Sequence, residues 1–267
     1  MDEKLLLDFA ISLGELMLKN GAETQRVETT MEIILQSTQY NLMPETFVTP
    51  TGLFAGITGP LSGSVTKVKR VEGRVINLEK VTEANQLSRN FVSGKISLRD
   101  AFDEIGRISA MPEYDSNVNI VAYTLIAFCF TLLFNGTLKD SYLSAVAGFI
   151  LGVAMVIIDK IKTAGFIKCF MAGIVVTYPI LLYNYFGISD NYEIMIMGSI
   201  MPLVPGFAIT NAAKDIMYGD YISGGAMLID AALTAVFVAA GVGIALTSYN
   251  MFILSGSEQI DTGICAE

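Results

Sequence analysis

Asp230 lies about nine positions into an apolar stretch, 221–247, with no Lys or Arg close to it in sequence. An ionisable group at bilayer depth costs at least a few kcal/mol, and such groups face a cavity, a partner or a proton path. Two readings stay open: a carboxylate that carries protons or touches a solute, or one solvated near the inner interface. Pro202, Pro205 and Gly206 fall in the middle of another apolar stretch, 192–211. Each proline removes a backbone donor and crowds the preceding turn, so that segment is expected to bend or break. In a membrane the freed backbone groups need neighbouring protein or a watery cavity, and half-helix ends suit ions and carboxylates. A kink with no further role is the plain alternative. Thr210 and Asn211, just beyond, could hydrogen-bond a polar solute or simply end the helix, and Glu193 at the segment's outer start is equally open. A third group, Glu23, Thr24, Arg26, Glu28 and Thr49, is polar and near the amino terminus. The Arg26 fork suits a carboxylate; it could equally pair with Glu23 or Glu28 to hold its helix.

The missing residue types exclude whole classes. The chain has no histidine, and its three cysteines, Cys129, Cys169 and Cys265, show no ligand spacing. A zinc site or a histidine-based triad is therefore not expected, and neither is any cofactor. No Gly-x-x-x-x-Gly-Lys-Ser/Thr run is present for a nucleotide, and no Gly-x-Ser-x-Gly elbow for a hydrolase. Net charge is −9, with an acidic pI and no basic patch, which argues against nucleic acid.

The elements that must position these residues are mostly membrane helices. Hydrophobic residues make up 52% of 267, and charged ones only 16%, below the usual quarter of a soluble domain. Five apolar stretches, 118–135, 141–158, 164–187, 192–211 and 221–247, are each near the 20 or so residues that cross a bilayer. Lys160, Lys162 and Lys168 follow the second and Lys214 the fourth, while the connector after the third carries only Asp190 and Glu193. The tail after 247 holds Glu258, Asp261 and Glu267 without a base. Basic residues mark the cytoplasmic side. The expected architecture is a polytopic α-helical membrane protein, five helices, amino terminus inside and carboxyl terminus outside. It divides into a cytoplasmic α+β domain over 1–113, a membrane domain over 118–247 and an external acidic tail over 248–267. The opening Met1-Asp2-Glu3-Lys4 does not read as a cleavable signal peptide.

Within 1–113, apolar residues from Leu5 to Met17 recur at helical spacing, with Asn20-Gly21 as the stop. A second helix is expected over 23–39, a strand over 46–58, a turn at 59–63 and a partner strand over 64–71. Helices follow at 77–93 and 97–109, the latter capped by Ser97. Gly148 and Gly152 have the spacing of a close helix contact.

The run Gly21-Ala22-Glu23-Thr24-Gln25-Arg26-Val27-Glu28 resembles the signature near the start of the bacterial threonine/serine exporter family. Val48-Thr49-Pro50-Thr51-Gly52 resembles that family's strand. Pro202-Leu203-Val204-Pro205-Gly206, then Asn211-Ala212 and Gly219-Asp220-Tyr221, resemble its Pro-Gly membrane segment. The likeness runs in order over about residues 5–247. Full-length members carry roughly ten membrane helices, whereas this chain shows five, so it resembles the larger component of the split, two-gene form. The resemblance implies a secondary exporter in the bacterial inner membrane, not an enzyme, moving threonine, serine or dicarboxylates such as succinate. It also implies a small membrane subunit of the same family as partner, in a homo- or hetero-oligomer. A membrane-anchored sensor or enzyme acting through the cytoplasmic domain is the competing class.

Overall fold

The computed structural model describes residues 3–37, 43–59, 63–161, 165–189 and 191–264, with side chains described as far as 252. Lys162, Asp190, Cys265 and Glu267, the turn residues 60–62 and the expected helix end at 38–39 lie outside that set, as do the side chains of Glu258 and Asp261. The chain forms two compact units. One comprises 1–113 together with 207–229, and the other comprises 114–206 with 230–267. The division expected from sequence gave 207–229 to the membrane part; the contacts group it with the amino-terminal unit instead.

In the first unit, α1 (Glu3–Lys19) is the central element, because its apolar residues occur on more than one side. Leu6, Leu7, Phe9, Leu13, Met17 and Leu18 have no exposed surface, whereas Leu5 is exposed. Phe9 meets Phe91 and Phe102 at centroid separations of 4.7 and 5.7 Å. Gly21, at φ 96°, ends the helix, and the Ala22 N–H returns to the Met17 carbonyl at 3.0 Å. α2 (Thr24–Gln36) follows at once.

The expected single strand over 46–58 is two strands. β1 (Met43–Thr49) and β2 (Gly52–Gly59) form an antiparallel hairpin with Thr49 opposite Gly52, and β3 (Gly63–Arg70) pairs β2 on its other side. The misreading has a physical source: Pro50 and Thr51 form the two-residue turn, and β-rich residues on both sides of it read as one run. Pro50 lacks a donor for a ladder and fits a turn better than a strand interior. α3 (Leu78–Val92) and α4 (Leu98–Ser109) complete the amino-terminal part. Ser97 caps α4 as expected, accepting from the Asp100 N–H at 3.3 Å and donating to the Asp100 carboxylate at 2.6 Å.

The second unit is helical. α5 (Ser116–Leu133), α6 (Leu138–Lys160) and α7 (Gly165–Tyr185) are each long and apolar enough to cross a membrane. α10 (Tyr221–Ile264) is also long enough; it does not stop near 247 but continues to 264. At 1.5 Å per residue its 44 residues extend about 66 Å, well beyond a bilayer's apolar core. The fourth stretch is broken. α8 (Tyr192–Ile200) passes into a short 3₁₀ turn at Met201–Leu203, and α9 (Gly206–Met217) resumes after Val204 and Pro205, bent by 61°. Four helices can cross singly, and the broken pair makes a fifth if it counts as one span.

Glycines set how closely these helices approach. A Cβ at Gly148 would lie 2.7 Å from the Tyr123 carbonyl and from the Ala127 Cβ, and one at Gly152 would lie 2.9 Å from the Ile120 Cα. The spacing read from sequence therefore marks the antiparallel crossing of α5 and α6. α7 and α10 instead run parallel. Phe166 stacks on Phe237 at 5.5 Å, Gly173 abuts Val238, Tyr178 hydrogen-bonds Ser248 at 2.8 Å, and Asn184 donates to Tyr249 at 2.9 Å.

Candidate functional site

Within the first unit, the signature residues sit on opposite sides of α2. Thr24 and Glu28, one turn apart, share one side with groups from α9 and α10. Asn211 and Asp215 are likewise one turn apart on α9, and both are buried. Gly219, at φ 89°, stops α9, and the Asp220 carboxylate caps α10 by accepting the Ser223 N–H at 3.1 Å. Gly-Asp-Tyr at 219–221 is thus a helix stop followed by a cap. Gly224 lets α10 cross α9, since a Cβ there would lie 2.8 Å from the Ala212 carbonyl.

Val48 of β1 is held from both sides. Its N–H donates to the Glu28 carboxylate at 2.7 Å, and its carbonyl accepts from the Ser223 hydroxyl at 3.1 Å. Glu23 pairs with Lys214 at 2.8 Å. Thr49, half-buried, donates to the Gly52 carbonyl at 3.3 Å across the turn, Pro50 is buried and Thr51 is exposed. The pocket expected from Glu23, Arg26, Glu28 and Thr49 is therefore a different set: Thr24, Glu28, Asn211, Asp215 and Asp220. Asp215 carried no weight in the sequence reading, and Asp220 entered it only within the Gly219-Asp220-Tyr221 motif. The usable signal was Asn211 and Asp215 at i and i+4, polar positions on one face of an otherwise apolar segment.

Three buried polar atoms in this set have no hydrogen-bond partner: the Thr24 hydroxyl, the Asn211 amide nitrogen and one Asp215 oxygen. The Thr24 hydroxyl faces Asp215 as a side-chain hydrogen-bond donor, although the contact falls short of strict hydrogen-bond geometry. Buried polar groups in folded proteins are nearly always satisfied, and each exception calls for a reason. Glu28 is pushed above the ordinary carboxylate range, first by burial and then by repulsion from Asp220, Glu32 and Asp215. The Val48 N–H partly opposes the rise. Folded chain therefore holds a proton on Glu28 more readily than unfolded chain does. Stability from this group is greatest at low pH and falls as pH rises from the ordinary range through the raised value. Glu28→Gln keeps an acceptor for Val48 and should flatten that fall. Thermal unfolding of detergent-solubilised chain between about pH 4 and 8 checks this; an unchanged slope would contradict it.

Arg26 lies on the other side of α2. It pairs with neither Glu23, which goes to Lys214, nor Glu28, which is two residues on and so points away from it. It lines an open cavity of about 500 Å³ with Thr30, Asn85, Ser88 and Arg89. Among the described residues, neither Arg26 nor Arg89 has a carboxylate partner. Arg26→Ala should consequently change stability by no more than about 0.5 kcal/mol, read as an unfolding midpoint.

The remaining sequence candidates are scattered. Pro202 and Pro205 flank the break, and Gly206 opens α9. Beside the break, within the second unit, lies a cavity of about 400 Å³ lined by apolar residues including Leu203, Pro205, Val238 and Val242. Thr210 and Glu193 are exposed. Asp230 is exposed too, and its nearest named neighbour is Cys169, beside the Lys168–Asp159 ion pair of 2.7 Å. Because α7 and α10 run parallel with Phe166 level with Phe237, Asp230 lies level with the basic 160–168 end of the helices. That setting matches an interfacial carboxylate better than a mid-span one. Asp140 is buried and accepts four hydrogen bonds. They come from the Thr137 N–H and hydroxyl at 3.0 and 2.7 Å, Ser189 at 2.5 Å and Asn191 at 2.9 Å. No group of three or more acidic or cysteine side chains suited to a metal occurs among the described residues.

Long apolar helices, a broken helix pair and a small three-stranded sheet define a multi-pass membrane protein. Residues 8–249 match the family model described as "Putative threonine/serine exporter", and the chain belongs to that family. No curated protein and no solved structure matches it.

Proposed function

We propose that this chain is a secondary exporter component that moves threonine and serine out across the bacterial inner membrane, driven by the proton gradient. It works with a small membrane subunit of the same family. Residues 1–113 lie in the cytoplasm, the broken pair makes one net passage, and five crossings leave the carboxyl terminus outside. Two features support that topology. Lys160 ends α6 and Lys168 opens α7, so the end where these two helices meet is basic. The parallel course of α7 and α10 also requires the segment between them to return across the membrane.

The observation that carries the solute-handling role is the set of unpartnered, buried Thr24, Asn211 and Asp215 beside Glu28. Polar atoms kept dry and unsatisfied are costly, and a ligand, water or proton that satisfies them in another state gives a reason for the cost. The test is efflux from bacterial cells loaded with a threonine- or serine-containing dipeptide. Cells expressing the chain with its small partner should release the amino acid faster than cells expressing neither. Equal rates at matched membrane expression would contradict the reading.

One observation favours a second solute. The Arg26–Arg89 cavity presents two guanidinium groups without carboxylate partners among the described residues, a setting that suits a dicarboxylate such as succinate. Succinate efflux lost on Arg26→Ala, with threonine efflux unchanged, would support that assignment.

A further inference from the structure

Any proton-driven exporter needs a group that takes a proton in one state and releases it in another. The obvious position from sequence, Asp230, is exposed and level with the charged ends of the helices. A buried carboxylate without a full set of partners, Asp215, lies instead on α9, on the side it shares with Glu28 of α2 and the start of α10, inside the first unit. Three elements bring their acids together there: Glu28 from α2, Asp215 from α9 and Asp220 from the turn before α10.

We propose that Glu28 and Asp215 form the proton-coupling site of this exporter, taking up a proton that enters from the outer side and releasing it when the site opens to the cytoplasm. The inference rests on the exporter reading. Every charged group facing the pair bears on it. Asp220 and Glu32 face Glu28 together with the Val48 N–H, and Asp220, Glu23 and Arg74 face Asp215. Glu23 is already neutralised by Lys214. Asp215 is buried and Glu28 and Asp220 are half-buried, with little cationic compensation, and neighbouring like charges favour the binding of a proton.

The unpartnered Thr24 hydroxyl and Asn211 amide are the independent observation. Both can donate to a carboxylate, so both favour its ionised form when they turn onto it. Here Thr24 reaches Asp215 only loosely and the Asn211 amide meets no acceptor, so the ionised form is incompletely held. A conformational change that engages Thr24 and Asn211 with Asp215 would expel a bound proton, which links proton release to movement of α9 against α2. One proton entering from the outer side and leaving to the cytoplasm would balance each solute exported.

The test separates coupling from binding. Full-length chain with its partner is reconstituted, and labelled threonine is followed in two assays: accumulation driven by an imposed pH gradient, and exchange at equal pH on both sides. Glu28→Gln and Asp215→Asn should each lower gradient-driven accumulation at least about tenfold more than they lower exchange. Accumulation that survives in both variants overturns the proposal, and so does exchange lost along with accumulation in folded protein. Should Asp215→Asn not fold, Glu28→Gln carries the test, since its amide keeps an acceptor for Val48. Should neither fold, wild-type chain in lightly buffered detergent must release protons on adding threonine, and no release overturns the idea. Absence of both accumulation and exchange in wild type would instead count against the exporter reading itself.

Discussion

Gly241→Ala should lower the stability of the detergent-solubilised chain by about 1–3 kcal/mol, the usual cost of overpacking. A Cβ at Gly241 would strike the Phe170 carbonyl and lie 3.1 Å from the Ile174 N–H. Both are helix backbone atoms and cannot turn aside as a flexible side chain would. Gly173, on the facing helix, is as constrained, with a Cβ placed 2.7 Å from the Val238 carbonyl. Small residues are what allow membrane helices to approach at backbone distance, where dispersion contacts are densest. Because α7 and α10 also share the Tyr178–Ser248 and Asn184–Tyr249 hydrogen bonds, spreading them strains those bonds too. Gly243, two residues along α10, faces open space and serves as the control. Thermal unfolding of Gly241→Ala and Gly243→Ala side by side checks the argument; equal midpoints would contradict it.

The second large effect is expected at Asp140. Its carboxylate closes a capping box at the start of α6 with Thr137 and also gathers Ser189 and Asn191 from the connector before α8. Asp140→Ala removes an acceptor from four donors, of which the Ser189 hydroxyl is buried. Hydrogen bonds to charged groups contribute about 1.5–3 kcal/mol each and are not additive, so a total loss of about 3 kcal/mol is expected. Asp140→Asn keeps one acceptor oxygen and should recover part of it. Unfolding midpoints of the two variants test the order wild type, Asn, Ala, and a neutral alanine variant would show that the network is incidental.

Periodicity made the long helices and α1 to α4 legible, because an apolar run or stripe at helical spacing has few other uses. Gly21, Ser97 and the 148/152 glycine pair were legible for the same reason, each being a local signal with a local cause. The hairpin was not, since Pro50-Thr51 sits inside a β-rich run and only the pairing reveals the turn. Nor was the grouping of 207–229 with the amino-terminal unit. Apolar composition alone does not distinguish a helix against lipid from one against another domain. The candidate site was half visible. Thr24 and Glu28 stood out within the signature, but nothing marked Asp215, and Asp220 figured only within a motif, until folding set them beside Glu28. Arg26, the most suggestive side chain of the signature, belongs to a separate cavity.

The most direct test of the exporter account is threonine and serine flux in proteoliposomes holding the purified chain and its small partner, with and without a pH gradient. The account predicts flux that requires the protein, rises with the gradient and collapses when an ionophore removes it. Flux indifferent to the gradient would contradict proton coupling, and no flux of either amino acid from folded, correctly inserted protein would contradict export.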